Sequence, residues 1–191
     1  MTERFQLFIE QQDLCTIKQR IMLAVSGGID SVVMADLFSA NGYNCIVLHC
    51  NFELRGEESE DDEAFVRSLA ARYDLPVYVK RFKTKEYAEE NGISIQMAAR
   101  KLRYKWFDDI SQELNVEAIA TAHNINDSVE TVLLNLCRGT GIKGLTGIPL
   151  VNGKYIRPLL FATKKEIVDY GRKHHLQYRE DSSNASTKYQ R

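Results

Sequence analysis

The sequence predicts an α/β fold, namely a doubly wound, mostly parallel sheet with helices on both of its faces. Short apolar runs of strand length alternate along the chain with stretches of helical periodicity, and a glycine-rich turn joins the first run to the first helix. Ligands of such sheets bind beyond the carboxyl ends of the strands. We therefore expect the loops at Ser26, His49 and Thr121 to converge.

The predicted strands occupy residues 21–25, 45–48, 77–82 and 118–121. The first of them is a continuous apolar run, which is typical of a strand covered on both faces. The first run ends at Ser26-Gly27-Gly28, and because glycine weakens a strand interior, this sequence indicates a loop.

The predicted helices are marked by apolar residues at helical spacing. The first begins near Ser31 and ends at Asn41-Gly42, because glycine is common just past a helix end. An acidic helix with apolar residues within 65–73, a long helix, and a helix over 128–138 follow. Thr163 and Glu166 have the spacing of a capping box, which opens a last helix that ends near His174. The apolar face predicted for the long helix consists of Ile95, Ala99, Leu102, Trp106 and Ile110.

The composition indicates one globular domain, which we place at residues 1–178, followed by a polar connector at 179–191. The formal net charge of -1 excludes binding of nucleic acid through a general positive field and leaves a local patch open. Residues 51–74 carry a net charge of -5, and residues 154–191 carry +5. The two stretches suit an anionic partner at one end of the chain, or they are two solvated helix faces.

The cysteines and the hydropathy favour a cytoplasmic protein. Cys15, Cys45, Cys50 and Cys137 form no CxxC pair and no metal-binding spacing. Cys45 and Cys137 sit among apolar residues, which predicts reduced thiols in the core. No apolar run has the length of a membrane span, and the first residues lack the features of a secretion signal, so no membrane association is expected.

The strongest local signal is Ser26-Gly27-Gly28-Ile29-Asp30-Ser31, between a predicted strand and a predicted helix. Its glycines let the backbone approach an anion, and the free amides at the helix start point at it. The hydroxyls of Ser26 and Ser31 add donors, and Asp30 is a candidate ligand for a Mg²⁺ that bridges phosphate oxygens. The motif is not a Walker loop, since it lacks GK[ST], and its alternative interpretation is a plain glycine turn.

The pattern SGGxDS resembles the signature of the ATP pyrophosphatase, or PP-loop, family. That resemblance implies a Rossmann-like fold of the adenine nucleotide alpha-hydrolase-like type. It also implies a reaction in which ATP is cleaved between its α and β phosphates, a substrate oxygen is adenylated, and a nucleophile displaces AMP. The motif leaves the substrate open.

Further segments resemble those of the tRNA(Ile)-lysidine synthetases. They are HCNFELRG at 49–56, AARKLRY at 98–104, ATAHNINDSVET at 120–131, LLNLCRGTG at 133–141, RPLL at 157–160 and EDSSN at 180–184. The resemblance covers nearly the whole chain from residue 21. It implies that residues 179–191 lead toward a C-terminal tRNA-binding region that the chain lacks, with Arg191 as a candidate tRNA contact.

Acidic and basic side chains in these segments are the candidate catalytic groups. Asp127 and Glu130 share one helix face, from which they could hold Mg²⁺ or bind an amine and take its proton. From the residues alone, they could equally belong to a solvated helix N-terminus. Arg100 and Arg103 suit phosphate oxygens, although such a pair is often a solvent-exposed face.

Other candidates for ATP binding lie at the ends of the predicted elements. His49 and Asn51 end a strand, where nucleotide contacts are expected, although a histidine there is often a structural group. His123 lies just upstream of Asp127 and can point into the same cleft. Arg138 and Gly139 begin a glycine-rich stretch, which could bring amides against a phosphate or nucleobase, or form a flexible lid.

The resemblance implies ATP-dependent ligation of L-lysine to the 2-position of the wobble cytidine of tRNA(Ile) with a CAU anticodon. An adenylated cytidine is the intermediate, and the product, lysidine, reads AUA instead of AUG. The implied partners are ATP, Mg²⁺, free L-lysine and this tRNA, and a homodimer stays open. Two alternatives remain, a PP-loop tRNA thiolase, against which the missing CxxC counts, and a non-catalytic nucleotide-binding module.

Overall fold

Helices and strands alternate along the computed structural model, which describes residues 1–139, 141 and 145–180. The helices in these ranges are α1 (Thr2–Gln11), α2 (Ile29–Ala40), α3 (Glu57–Arg72), α4 (Thr84–Glu90), α5 (Ile95–Glu113), α6 (Ile125–Cys137) and α7 (Lys164–Lys173). The strands are β1 (Arg20–Ala24), β2 (Asn44–Asn51), β3 (Val77–Arg81), β4 (Ala118–Ala120), β5 (Val151–Asn152) and β6 (Tyr155–Ile156). No helix in the described ranges is both long and apolar enough to cross a membrane.

The strands form one sheet in the order β3-β2-β1-β4-β6-β5. Neighbouring strands are parallel, except for β5 and β6, which pair as an antiparallel hairpin. The chain winds from β1 out to β3 and then returns to the other side of β1 with β4. The strand order therefore reverses between β1 and β4, and the carboxyl ends of these two strands flank the crevice where such sheets bind ligands. The predicted doubly wound, mostly parallel sheet is confirmed.

Alternate side chains of each strand enter the cores on the two faces of the sheet. In β1, Ile21 and Leu23 pack with residues of α1, α2, α3 and α7, whereas Met22 packs on the opposite face with Phe107 and Ile110 of α5. Helices therefore cover both faces of the sheet, as predicted. Because β1 is central and buried on both sides, it fixes the start of the loop that follows it.

The apolar face predicted for the long helix is confirmed in its later turns, where Ile110 is buried and Trp106 packs against the core, and is wrong in its first turns. The buried residues of α5 are Ala98, Phe107, Ile110 and Ser111. Ile95 is 43% exposed and, with Ala99, lines a pocket. The first turns of α5 flank the pockets at the carboxyl edge of the sheet, and only its later turns pack on the strands, so no single stripe serves its whole length.

Several other elements and one cysteine also differ from the expectations. The helices α1 and α4 and the β5–β6 hairpin are not among the predicted elements. The helix α6 begins at Ile125 rather than at Ser128, because Asn124 and Asp127 form a capping box there. Cys45 is buried as predicted, but Cys137 is exposed because α6 has no buried residue. The predicted capping box of Thr163 and Glu166 is present at the start of α7.

Candidate active site

The loop between β1 and α2, residues 26–31, is folded around the hydroxyl of Ser31, and we call it the cradle. The Ser31 oxygen accepts hydrogen bonds from the amides of Ser26 and Gly27, both at 3.2 Å, and donates to the Gly28 carbonyl at 2.9 Å. Gly27 has a φ of 99°, which side-chain-bearing residues rarely adopt. Gly28 caps α2, whose first amides have no acceptor within the helix. Such amides are suited to an anion.

Asp30 is held from two sides by residues that the sequence did not point to. The side-chain amide of Asn124 donates a hydrogen bond to Oδ1 of Asp30 at 3.2 Å, and the ammonium of Lys164 forms an ion pair with Oδ2 of Asp30. Asn124 lies within a segment that resembles the lysidine synthetases, which is a signal that could have identified it. Lys164 is 134 residues from Asp30 in the chain, so only the fold brings the two together.

A pocket of about 320 Å³ adjoins the cradle. It brings together many of the predicted site residues, namely Ser26, Gly28, Asp30, Ser31, Arg100, Arg103 and His123. Apolar walls come from Leu48, Tyr104 and Phe107. Amides and guanidinium groups suit phosphates, and apolar walls suit the face of a base, so the pocket is suited to a nucleotide.

A second pocket of about 510 Å³ shares Ser26, Cys50, Phe52 and Arg103 with the first. The guanidinium carbon of Arg103 lies 5.2 Å from the centre of the Phe52 ring, a cation–π contact at the border of the two pockets. Arg103 therefore faces both spaces. A reaction between a nucleotide and a second substrate needs adjoining spaces of this kind.

His49 and Asn51 line the second pocket, but their hydrogen bonds are structural. His49 is buried, and its Nδ1 donates to the Val25 carbonyl at 2.9 Å, while burial lowers the pKa of the ring. Asn51 donates to Glu63 at 3.1 Å and accepts from the amide of Glu53 at 3.0 Å. These contacts join β1, β2 and α3, which favours the structural alternative for both residues in this state.

His123 and Asp127 lie near each other at the start of α6. The ring Nδ1 of His123 is 3.0 Å from the hydroxyl of Thr121, and burial, assisted by the positive charge of Arg157, lowers the pKa of His123. Asp127 acts against that shift, so its carboxylate is close enough to interact with the ring. Oδ2 of Asp127 accepts a hydrogen bond of 2.9 Å from the backbone amide of Asn124. Glu130 is exposed on α6, and neither acid lines either pocket.

The donor set of the cradle fits a Mg²⁺ that is bound together with phosphates. Within residues 1–139, 141 and 145–180, no group of three or more histidine, cysteine or acidic side chains could hold a metal ion by itself. Asp30 offers one carboxylate at the rim of the pocket. Because Mg²⁺ in nucleotide sites takes one or two carboxylates and completes its shell with phosphate oxygens and water, Asp30 suits this role.

Several other predicted residues lie away from the pockets. Ile29 is buried against α7, and Gly27 offers its carbonyl to the amide of Arg179 at 2.9 Å. Arg138 caps α6, and Gly139 follows it with a φ of 70°, both exposed. Thr140 and Arg191, with most of the predicted connector, lie outside the described residues.

Comparison with known families connects this geometry to known chemistry. Residues 1–191 match the family model described as a PP-loop domain. The chain belongs to the PP-loop family. Membership in this family supports the use of ATP by the chain.

Two curated relatives of the chain carry the same name. This chain is 45% identical over 189 residues to a tRNA(Ile)-lysidine synthase of Bacteroides thetaiotaomicron. The alignment covers 99% of this chain and 44% of that protein. The chain is 46% identical over 193 residues to the synthase of Porphyromonas gingivalis, covering 100% of this chain and 42% of that one. The chain thus spans less than half the length of these relatives.

Solved structures confirm the fold of the PP-loop chain. The U34-tRNA thiolase NcsA from Methanococcus maripaludis matches with a TM-score of 0.73 at 20% identity, covering 94% of this chain and 64% of that one. An NH3-dependent NAD synthetase from Campylobacter jejuni matches with a TM-score of 0.63 at 18% identity, covering 98% and 76%. At these identities the likeness concerns the fold, which is the adenine nucleotide alpha-hydrolase-like type that the sequence predicted.

Proposed function

We propose that this chain is the catalytic part of a tRNA(Ile)-lysidine synthetase, an ATP-dependent carbon–nitrogen ligase. It joins L-lysine to the 2-position of the wobble cytidine of tRNA(Ile) with a CAU anticodon. The observation that carries the proposal is that 99% of the chain aligns at 45% identity with a protein of that name. The cradle and its two adjoining pockets add a physical basis, because the reaction must bring ATP next to a base.

In the first step, the cytosine 2-oxygen attacks the α-phosphate of ATP, a new O–P bond forms, and pyrophosphate leaves. The cradle amides hold the departing phosphates, and Asp30 would hold a Mg²⁺, which would neutralise part of the phosphate charge. Arg103 lies at the border of the two pockets, where it can stabilise the charge that develops at the α-phosphate. Arg100 lines the first pocket and adds positive charge on the same side.

In the second step, the lysine ε-amine attacks the activated carbon, a C–N bond forms, and AMP leaves. An amine with an ordinary pKa of about 10.4 must first lose a proton. Asp127 and Glu130 are the acids that we assign to binding the ammonium and taking that proton. A carboxylate offers two oxygens, so capping of α6 through Oδ2 of Asp127 is compatible with binding the amine through Oδ1.

The substitution Asp127→Asn tests the assignment of the second step. The amide oxygen of asparagine can still cap α6, so the fold should persist, whereas an amide cannot take the proton. We expect no lysine incorporation into a tRNA(Ile) transcript, measured with radiolabelled lysine, and an unchanged circular dichroism spectrum. Asp169→Asn, an exposed acid on α7, is the matched control. Undiminished incorporation by the Asp127 variant would contradict the role of this residue.

The two alternative functions fit the site less well. The thiolase neighbour carries a [4Fe-4S] cluster by its description, whereas burial raises the pKa values of Cys15, Cys45 and Cys50 in this chain to about 12, which disfavours reactive thiolates. A nucleotide sensor would bind ATP without turning it over. Release of AMP and pyrophosphate that requires both lysine and the tRNA transcript separates the proposed ligase from that sensor.

The proposal also covers location and assembly. An enzyme that modifies tRNA with free lysine is expected in the cytoplasm, and the basic residues of 154–180 are candidates for phosphate contacts with the tRNA. A homodimer stays a prediction, and light scattering on the purified chain is the measurement that checks it.

A further inference from the structure

The carboxylate of Asp30 has a cation beside it. Lys164 forms an ion pair with Oδ2, while the side-chain amide of Asn124 donates to Oδ1 at 3.2 Å. Both oxygens of the candidate metal ligand are therefore engaged by groups of the protein itself. Because one carboxylate oxygen cannot keep a direct contact with an ammonium and also bind a metal ion without losing part of each interaction, the ion pair must give way when Mg²⁺ binds.

The main chain of Lys164 is fixed relative to the cradle. Its amide donates to the side-chain oxygen of Asn126 at 2.9 Å, and the Ile125 amide donates to the Ala162 carbonyl at 3.0 Å, which together join the starts of α6 and α7. Further along α7, a Cβ on Gly171 would lie 2.6 Å from Cδ1 of Ile29, so α7 touches the start of α2 at this glycine. The position of Lys164 beside Asp30 is thus built into the packing of three helices.

The side chain of Lys164, in contrast, is free to leave. It is 46% exposed, and the side chain of Asp30 is 26% exposed. Ion pairs at this exposure are weak, and a lysine ammonium sits on a flexible four-carbon stem. The pair is therefore strong enough to bias where the ammonium lies and weak enough to be replaced by a divalent ion.

Charge explains why such a cation is useful at this position. A bare carboxylate at the rim of the cradle would repel an incoming polyphosphate. Among the described residues, the cations that line the first pocket are Arg100 and Arg103 of α5, and Lys164 reaches this site only through its contact with Asp30 at the pocket rim. Lys164 supplies positive charge from α7, directly at Asp30.

We propose that Lys164 is a positioning residue of the nucleotide site that neutralises Asp30 while the metal is absent and yields Asp30 to Mg²⁺ when the metal-bound nucleotide enters. This inference rests on the proposed nucleotide site and deepens it. It predicts that removing the charge of Lys164 weakens nucleotide binding more in the absence of Mg²⁺ than in its presence. It also predicts that this difference disappears when the charge of Asp30 is removed as well.

The test measures binding of α,β-methylene-ATP, which cannot be cleaved at the reacting bond, by isothermal titration calorimetry in Mg²⁺ and in EDTA. In EDTA we expect Lys164→Met to weaken binding about tenfold, because Asp30 is left bare beside the phosphates. In Mg²⁺ the loss should stay within about threefold, since the metal then neutralises Asp30. Lys165→Met removes the same charge from the next, exposed residue of α7 and should change neither value by more than about twofold.

The double variant Asp30→Asn with Lys164→Met completes the experiment. In EDTA it should bind within about threefold of wild type, because no carboxylate remains to repel the phosphates. Equal losses for Lys164→Met in both buffers, no loss in EDTA, or no recovery in the double variant would each overturn the inference. A wild-type chain that binds no nucleotide in either buffer would overturn the proposed function as well, whereas nucleotide binding that fails only the predictions for Lys164 would overturn this inference alone.

Discussion

The two glycines of the cradle differ in what each position requires. Gly27 has a φ of 99°, and a Cβ there would lie 3.4 Å from a ring carbon of Phe65. Gly28 has a φ of -71°, within the range of ordinary residues, and a Cβ there would meet the Ser26 hydroxyl at 3.7 Å. Backbone strain therefore arises at Gly27 and not at Gly28 when a side chain is added.

The pair Gly27→Ala and Gly28→Ala makes this difference measurable. We expect the Gly27 variant to lower the free energy of unfolding by about 1–3 kcal/mol, because alanine is forced into a sparsely populated backbone region. The Gly28 variant should lose less than about 1 kcal/mol. Urea unfolding followed by circular dichroism provides both values, and equal losses would contradict the strain argument.

Removal of the Arg103 guanidinium should slow the first step of the reaction. Its guanidinium faces both pockets, so Arg103→Met should lower turnover of ATP in the complete reaction by about 10²–10³-fold, the usual cost of one donor to a developing oxyanion. Lys101→Met, an exposed lysine on the same helix, is the control. Steady-state release of pyrophosphate gives both rates, and similar rates for the two variants would exclude Arg103 from the first step.

At the scale of elements, β1 to β4 and their order of appearance were predictable, because each contains a short apolar run. The boundaries of β1 and β4 differ from the predicted ranges by one residue. The β5 and β6 strands have two residues each and α4 has seven, too short for a periodic pattern. The face of α5 was predicted correctly only for its later turns, which pack on the sheet, since its first turns line pockets instead.

The candidate site was predictable to the extent that its residues lie in local motifs. The cradle, Arg103 and His123 all meet at one pocket, because each follows or flanks the carboxyl end of a strand. Lys164 was not predictable, since its contact with Asp30 depends on how α7 returns across 134 residues to pack on α2. Long-range side-chain pairs of this kind leave no periodic or spacing signal in the sequence.

Asp36 connects three helices on one face of the sheet. It lies on α2 and accepts hydrogen bonds of 2.7 Å from the hydroxyls of Tyr73, just after α3, and Tyr170 on α7. Burial and the charge of Asp36 raise the pKa of both phenols, that of Tyr170 to about 12, so both hydroxyls stay protonated donors at neutral pH. The packing of α3 and α7 against α2 therefore includes two charge-assisted hydrogen bonds through one carboxylate.

The substitution Asp36→Asn should destabilise the fold by about 1.5–3 kcal/mol, because it removes the charge that strengthens both hydrogen bonds. Tyr73→Phe and Tyr170→Phe should each cost about 0.5–1.5 kcal/mol, since each removes one bond. Urea midpoints at constant slope give these values. An Asp36 variant as stable as wild type would show that the helices pack through their apolar contacts alone.

Across the whole molecule, the acidic stretch 51–74 is largely paired with arginines. Arg81 of β3 forms ion pairs with Glu60 and Glu63 of α3, and Arg179 does so with Asp61 and Asp62 of the same helix. Charge counted along the chain therefore overstates the field at this surface. The acids of α3 bind arginines of β3 and of the segment after α7. The acidic stretch therefore has a structural role, whereas the sequence left its role open.

The stability of the molecule should fall on mild acidification because of two histidines. Burial lowers the pKa of His49 and His123 below the ordinary 6.5, so between that value and their folded-state pKa values the unfolded chain binds protons that the folded chain does not. The free energy of unfolding then decreases as pH falls below about 6.5, with a slope of at most about 1.4 kcal/mol per pH unit for each histidine.

Urea unfolding at pH 7.5, 6.5 and 5.5 measures this slope, which His49→Gln and His123→Gln should each reduce and the double variant should abolish. Acidic groups change the free energy of unfolding at lower pH than the histidines do. The amide of Thr163, with Arg4, lowers the pKa of Glu166 from 4.5 to about 2, so its stabilising contribution is lost only as pH falls below 4.5. For the histidines, two results would contradict this explanation, namely a wild-type chain with equal stability at all three pH values and a double variant that keeps the slope. Either result would show that His49 and His123 do not take up protons on unfolding.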